Sequence, residues 1–334
     1  MAERALHELV LELTDHCPHQ CLHCSSNSDR SRRTHLRHDV ALRLIDEAAR
    51  MASRKVSFGG GEPVCSPLLL ECVKRVVALG MTAEVFTCGT VESATSVAAW
   101  PDDLIDQLRE LPLLKLIFSV HAPDKDIHDS ITRVPGSFSA MVDSLTRCVA
   151  AGIHCEINLV PLKPNWAMFS ELVDLAATHG AKKVSVLRFV PQGRGEANRA
   201  ALELSSRDEG AFIEHLLSVR DGSGIDIRTG SPFNEILPNN RVPCRAGTQK
   251  LVVQADGNVL PCEVFKHPQA RNWGLSVYHD SISGILGSEA LSGLRAMHKR
   301  GECVVCPVHH SLRSRQMRGV VDACQRVPEC TFPV

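Results

Sequence analysis

The sequence predicts an α/β fold: a partial or complete barrel of six strand–helix units, followed by a small cysteine-rich appendix. Three observations lead there. The N-terminal two-thirds alternates short apolar runs with amphipathic ones. Near residue 240 that rhythm gives way to a hairpin pattern. The 14 cysteines, far more than an ordinary chain of 334 residues carries, include two spaced groups, one early and one late. Strand–helix alternation makes repeated βαβ units around a parallel sheet, and barrels of this kind place their chemistry at the C-terminal ends of the strands.

In chain order, short apolar runs predict strands at Leu9–Leu13, Lys55–Phe58, Ala83–Thr87, Leu113–Val120, His154–Val160 and Lys183–Val190. Between them, amphipathic stretches predict helices at Val40–Met51, Pro67–Leu79, Asp102–Leu111, Phe138–Ala151 and Trp166–Thr178. A further helix, Glu209–Val219, runs into the polar stretch from Arg220 to Asn240, rich in Gly, Pro, Asn and Asp. The expected division is therefore a core over residues 1–225, a linker over 226–243 and a C-terminal domain over 244–334. Within the last, Lys250–Gln254, the turn Ala255-Asp256-Gly257-Asn258 and Val259–Val264 read as a β-hairpin.

Composition narrows the function. A net charge of −1 and 4% aromatic residues argue against a nucleic-acid binder, which shows a basic surplus with stacking aromatics. No apolar run approaches the roughly 20 residues needed to cross a bilayer, and the first residues lack the form of a signal peptide. A cytoplasmic protein is expected. In that reducing setting disulfides explain the cysteines poorly, and metal or cluster ligation explains them better.

The first group, Cys17-Pro-His-Gln-Cys21-Leu-His-Cys24, follows directly on the first strand. Three thiolates on one short loop suit three irons of a cubane cluster and leave the fourth iron open. Spacing alone also admits a zinc site with His19 or His23 as fourth ligand. The second strand ends in Phe58-Gly59-Gly60-Gly61-Glu62-Pro63, where glycines let a ligand approach the main chain and Glu62 offers a carboxylate to an ammonium group.

Together these motifs resemble those of the radical S-adenosylmethionine (SAM) superfamily. Its C-x3-C-x2-C is matched by Cys17, Cys21 and Cys24, and its GGEP by Gly60, Gly61, Glu62 and Pro63. The resemblance implies a (β/α)6 partial TIM barrel over roughly residues 5–225, a [4Fe–4S] cluster on the three cysteines, and SAM chelated to the open iron. It also implies an electron donor of the flavodoxin or ferredoxin type. One-electron cleavage of SAM would then give a 5′-deoxyadenosyl radical that abstracts a hydrogen atom from the substrate. Where the family usually has an aromatic residue near the adenine, this chain has His23. Ser119 and His121 sit where the family often contacts SAM, and Arg188 occupies a position suited to the SAM carboxylate. Arg188 also lies in an otherwise apolar strand and needs an anionic partner. The loop Arg30-Ser31-Arg32-Arg33 reads as a solvated face.

The second group is Cys244, Gly257, Cys262 and the pair Cys303 and Cys306. Four thiolates of this kind close a zinc site or hold a fully ligated Fe–S cluster. The spacing resembles the SPASM and Twitch extensions of radical SAM enzymes, which carry auxiliary [4Fe–4S] clusters. Leu312 stands where a full SPASM motif has its next cysteine, so a Twitch-like extension with one auxiliary cluster is expected, with Cys324 and Cys330 left over. Among the remaining cysteines, Cys72 and Cys148 read as core residues. Cys65 and Cys88, just past the second and third strands, are candidate hydrogen-atom donors.

The resemblance leaves two substrate classes: ribosomally made peptides (cross-link, thioether or epimerisation), and sugars or aminocyclitols oxidised or epimerised in antibiotic biosynthesis. Peptides are placed first, on how common they are in this group. With the first cluster cysteine at residue 17, any leader-binding module is expected to be a separate chain. The alternative from another class is a non-catalytic Fe–S or zinc scaffold.

Overall fold

The computed structural model describes residues 6–94, 96–266 and 273–300. The strands are β1 (Glu8–Thr14), β2 (Lys55–Gly60), β3 (Thr82–Thr87), a small ribbon of β4 (Val91–Glu92) and β5 (Val97–Ala98), β6 (Leu114–Ser119), β7 (His154–Leu159), β8 (Lys183–Val186), β9 (Asp226–Thr229), β10 (Lys250–Val253) and β11 (Val259–Leu260). All but the ribbon join one sheet in the order β11-β10-β1-β2-β3-β6-β7-β8-β9. It is parallel except where β10 turns back into β11. The helices are α1 (His38–Arg50), α2 (Leu69–Ala78), α3 (Asp102–Arg109), α4 (Lys125–Thr132), α5 (Ser137–Ala150), α6 (Phe169–Thr178), α7 (Arg194–Ala197), α8 (Arg199–Leu202), α9 (Ser206–Gly222), α10 (Ile282–Gly287) and α11 (Ser292–Lys299).

Apolar spacing explains the helices. α1 buries Val40, Ala41, Leu44, Ile45 and Ala48, a stripe at helical period that lies on the sheet. α2 does the same with Leu69, Cys72, Val73 and Val76, and α5 with Met141, Leu145 and Cys148. Cys72 and Cys148 are thus core residues, as expected. Strand register sorts the other side chains into two faces. Leu9, Val56, Ala83 and Leu114 stand in one row, all buried. The opposite face carries Ser57, Glu84, Lys115 and His154 in a row, with Glu8 beside both Lys55 and Lys250.

This second face is polar and ion-paired. Lys55 Nζ lies 2.6 Å from Glu84 and 3.3 Å from Glu8, and Lys183 Nζ lies 3.3 Å from Glu156. Strands covered by helices on both faces read as unbroken apolar runs. These alternate because their inner face lines a polar lumen.

The six expected β/α strands are present, with two corrections. Residues 226–243, expected as a linker, contain β9, which extends the sheet in register with β8 (Val184 with Ile227). Apolar Ile227 and Thr229, whose hydroxyl donates to Asn240 Oδ1 at 3.0 Å, bury one face of this short strand. The sixth strand, expected to reach Val190, ends at Val186, because the chain leaves the sheet to place Arg188 among carboxylates. The hairpin is present around Gly257, whose φ is +83°. It is also part of the core sheet, since β10 pairs with β1.

Candidate active site

Past β1, the loop carrying Cys17, Cys21 and Cys24 crosses the C-terminal edge of the sheet and is bonded from several sides. From β2, Gly61 N donates to Thr14 O at 2.7 Å and Glu62 N to His16 O at 2.8 Å. These bonds need bare glycines: a Cβ on Gly60, whose φ is +115°, would stand 2.3 Å from Thr14 O, and one on Gly61 2.0 Å from His16 O. From α4, Thr132 O accepts Gln20 N at 3.0 Å and Ile131 O accepts Leu22 N at 2.9 Å. From the loop after β8, Arg194 donates through its main chain to Cys24 O, through Nε to Cys21 O (both 2.9 Å) and through Nη2 to Ser28 O at 2.6 Å.

Glu62 is buried, and its carboxylate is fully engaged. Oε1 accepts from Thr87 Oγ1 at 2.8 Å and Val64 N at 3.2 Å, and Oε2 accepts from Cys88 N at 2.6 Å. Burial raises its pKa against the pull of these bonds. The Cys88 thiol lies in the field of Cys17 and 3.3 Å from Thr90 Oγ1, which in turn meets His19 Nε2 at 3.0 Å. A buried chain of contacts therefore runs from the glycine loop to the cysteine loop.

Four histidines wall the site. His121 Nε2 is 4.0 Å from Cys21 Sγ, and its ring lies 4.7 Å from that of His23 and 5.1 Å from that of His128. Burial pushes His19 down to about 3 and both His23 and His128 to about 4. His121 is likewise driven well down. All four are uncharged imidazoles near neutral pH, and His19 Nδ1, His23 Nδ1 and His128 Nε2 are buried without a partner.

The donor set fits an iron–sulfur cluster. Burial pushes the Cys21 thiol well up, aided by Cys24. Cys17 is raised too: the neighbouring Cys88 thiol pulls it down, but burial and Cys21 outweigh that. Such thiols ionise when a cationic centre compensates them. Among the described residues no three His, Cys, Asp or Glu side chains converge on a point suited to a single metal ion. Three thiols in electrostatic range along one loop suit a centre that spans several metal atoms.

The structure brings together Cys17, Cys21, Cys24, His23, Gly60, Gly61, Glu62, Pro63, Cys88 and His121. Ser119 ends β6, two residues before His121, and Cys65 closes the turn Pro63–Cys65, its thiol pushed up by burial and then by Glu62. The Arg188 side chain, 5% exposed, pairs with Glu209 at 2.9 Å and Glu235 at 3.4 Å. The anion this buried cation requires is supplied by the chain itself. Cys244 and Cys262 both lie in the field of Lys250, and Gly247 N donates to Pro261 O at 3.2 Å, which sets the two cysteine loops side by side. Cys303, Cys306, Cys324 and Cys330 lie outside the described residues. Sequence reasoning missed Arg194, Thr90, His19 as a wall residue, His128 and α4. Of these, only the density of histidines around residues 16–23 and 121–128 was a visible signal.

Comparison with known proteins agrees with this geometry. The radical SAM superfamily model matches residues 11–176, and the iron–sulfur cluster-binding domain model, SPASM, matches residues 244–307. A PqqA peptide cyclase of Methylocella silvestris is 26% identical over 262 residues, covering 76% of this chain and 67% of the relative. The chain thus spans about two-thirds of that cyclase's length. An AdoMet-dependent heme synthase of Methanosarcina barkeri is 25% identical over 275 residues, 76% of each chain. Streptococcus suis SuiB bound to S-adenosylmethionine superposes with a TM-score of 0.73 at 16% identity, covering 97% of this chain and 78% of SuiB. That likeness concerns the fold.

Proposed function

Because the chain belongs to the radical SAM superfamily and carries a SPASM-type iron–sulfur domain, we propose that it modifies a ribosomally made peptide, by cross-linking, thioether formation or epimerisation. The observation that carries the SAM-cleaving part of this reading is the lacing of the three-cysteine loop to Gly61 and Glu62 at 2.7 and 2.8 Å; the peptide part rests on relatives named as peptide cyclases. Cys17, Cys21 and Cys24 would hold the [4Fe–4S] cluster, with SAM over the glycine loop. When bound, these groups supply one-electron cleavage of SAM and a 5′-deoxyadenosyl radical that takes a hydrogen atom from the substrate.

The chain's own residues orient and shelter. His23 and His121, neutral rings in edge contact with each other, would wall the bound cofactor. Ser119 and Asn158, in register on the lumen face, offer polar contacts to a peptide main chain. Cys244, Cys262, Cys303 and Cys306 would hold one auxiliary cluster. Cys65 and Cys88 are the candidate hydrogen-atom donors, and of the two the Cys88 thiol is held by Thr90, 3.3 Å from its Oγ1. No helix among the described residues is long and apolar enough to cross a membrane, and we place the enzyme in the cytoplasm with a flavodoxin- or ferredoxin-type donor. Relatives named as peptide cyclases support a peptide substrate. The heme synthase likeness favours, as second reading, a small-molecule oxidation or epimerisation.

Anaerobic reconstitution tests this. With dithionite and SAM the wild type should release 5′-deoxyadenosine, and Cys21→Ala should release none. A scaffold would release none from either. Iron counts of about eight per chain, against about four, report the auxiliary cluster. Candidate precursor peptides are then assayed for hydrogen loss (cross-link) or deuterium uptake from heavy water (epimerisation).

A further inference from the structure

Lys266 closes the single turn Glu263–Lys266 that directly follows Cys262. Its Nζ is ion-paired with Glu12 of β1 and donates to Ser26 Oγ at 2.7 Å, just past Cys24. Lys266 and Glu12 are 8% and 7% exposed, and the ammonium lies in the field of Cys24. The same turn is tied a second time: Gln192 Nε2 donates to Glu263 O at 2.8 Å, next to the Gly193-Arg194 segment that bonds Cys24 O. The first turn after one cysteine site is therefore bonded on two sides to the apparatus that holds the other.

A buried ammonium is costly, and a clamp needed only for packing would do as well with an apolar side chain. A fixed positive charge in a poorly screened interior acts on neighbouring charge over several ångströms. We propose that Lys266 is a positioning residue through which the C-terminal domain raises the reduction potential of the cluster on Cys17, Cys21 and Cys24. The proposal rests on the cluster assignment above. The added electron makes the cluster more negative, and the adjacent ammonium stabilises that state. Glu12 offsets part of the field and keeps Lys266 in place.

The test is a potentiometric titration of the reconstituted full chain followed by EPR. The relevant cluster is identified as the one whose signal changes on adding SAM. Lys266→Met should shift its potential downwards with iron content retained, and Lys266→Arg should restore it. Glu12→Gln should shift it upwards. Ser26→Ala, which breaks the hydrogen bond but keeps the charge, should leave it at the wild-type value. An unmoved potential in Lys266→Met overturns the proposal, as does a Ser26→Ala shift equal to that of Lys266→Met, which would mark a geometric strap. If Lys266→Met assembles no cluster, Glu12→Gln decides: an upward shift supports the proposal and none overturns it. A wild type that assembles no SAM-responsive cluster overturns the function proposed above, and this with it.

Discussion

A methyl group on residue 61 has nowhere to go: it would lie 2.0 Å from His16 O and 2.5 Å from that carbonyl's carbon. Main chain, unlike a flexible side-chain tip, cannot swing aside. Gly61→Ala should therefore cost about 3 kcal/mol, the upper part of the range for overpacking, and should reduce iron uptake, measured by thermal unfolding and iron content after reconstitution. Gly59 is the control, since a Cβ there meets nothing within 4 Å, and Gly59→Ala should match the wild type in both. Glu8 provides a pH prediction. Burial alone would raise its carboxyl, but Lys250 and Lys55 outweigh that and hold it at about 2, against an ordinary value of 4.5. A depressed folded pKa gives stability that is present above the unfolded value and lost as pH falls towards the folded one. Between about pH 4.5 and pH 2 this group should lose about 3 kcal/mol. In Glu8→Gln that component should be missing from the acid limb of a stability–pH curve.

At the scale of elements, the segment after β8 does more for the site than β8 itself. Gly193, at φ +60°, sits so close that a Cβ would be 2.6 Å from both Cys24 O and Ser25 O. Arg194 satisfies Cys21 O and Ser28 O with its guanidinium. Charged hydrogen bonds of this kind contribute about 1.5–3 kcal/mol each, so Arg194→Ala should lower stability by about 3 kcal/mol or more and loosen the cysteine loop. Arg194→Lys, with a point charge in place of a fork, should fall between, with cluster retention under mild chelation as the readout. None of this was legible beforehand. A side chain that serves main-chain carbonyls leaves neither a period nor a motif, whereas thiol spacing and paired glycines do. The strands were legible because each is a short apolar run bounded by amphipathic stretches. α4 was not: its start depends on Asp124 accepting from Asp126 N and Ile127 N at 2.9 Å, and it buries one apolar side chain, Ile131, beside His128 and Thr132, too little for an apolar stripe. Arg188 shows a different limit. Its sequence context revealed that an anion was needed but not that Glu209 and Glu235 would provide it.

Across the whole molecule, the expected two-domain division conceals a shared sheet. The hairpin turn around Gly257 announced β10 and β11, but nothing local records that Lys250 pairs with Glu8 and Val253 with Leu11. β10 buries Leu251, Val252 and Val253 at 0%, 0% and 1% exposure, and each such side chain contributes about 1.5–3 kcal/mol. Three of them amount to roughly 5–9 kcal/mol, comparable to the 5–15 kcal/mol that holds a domain folded. Removing the hairpin also bares the hydrogen-bonding edge of β1, a template for aggregation, and unpairs Glu8 from Lys250. Deleting residues 244–334 should therefore not release a working core. The truncated chain should be recovered mainly as aggregate, judged by soluble yield and size-exclusion chromatography. Cys244→Ala with Cys262→Ala, which keeps the hairpin, should stay soluble and still form 5′-deoxyadenosine, with iron lowered by about half. A soluble, monodisperse truncation that retained the first cluster would show instead that β1 tolerates an open edge, and that the C-terminal domain acts on the core only through its own chemistry.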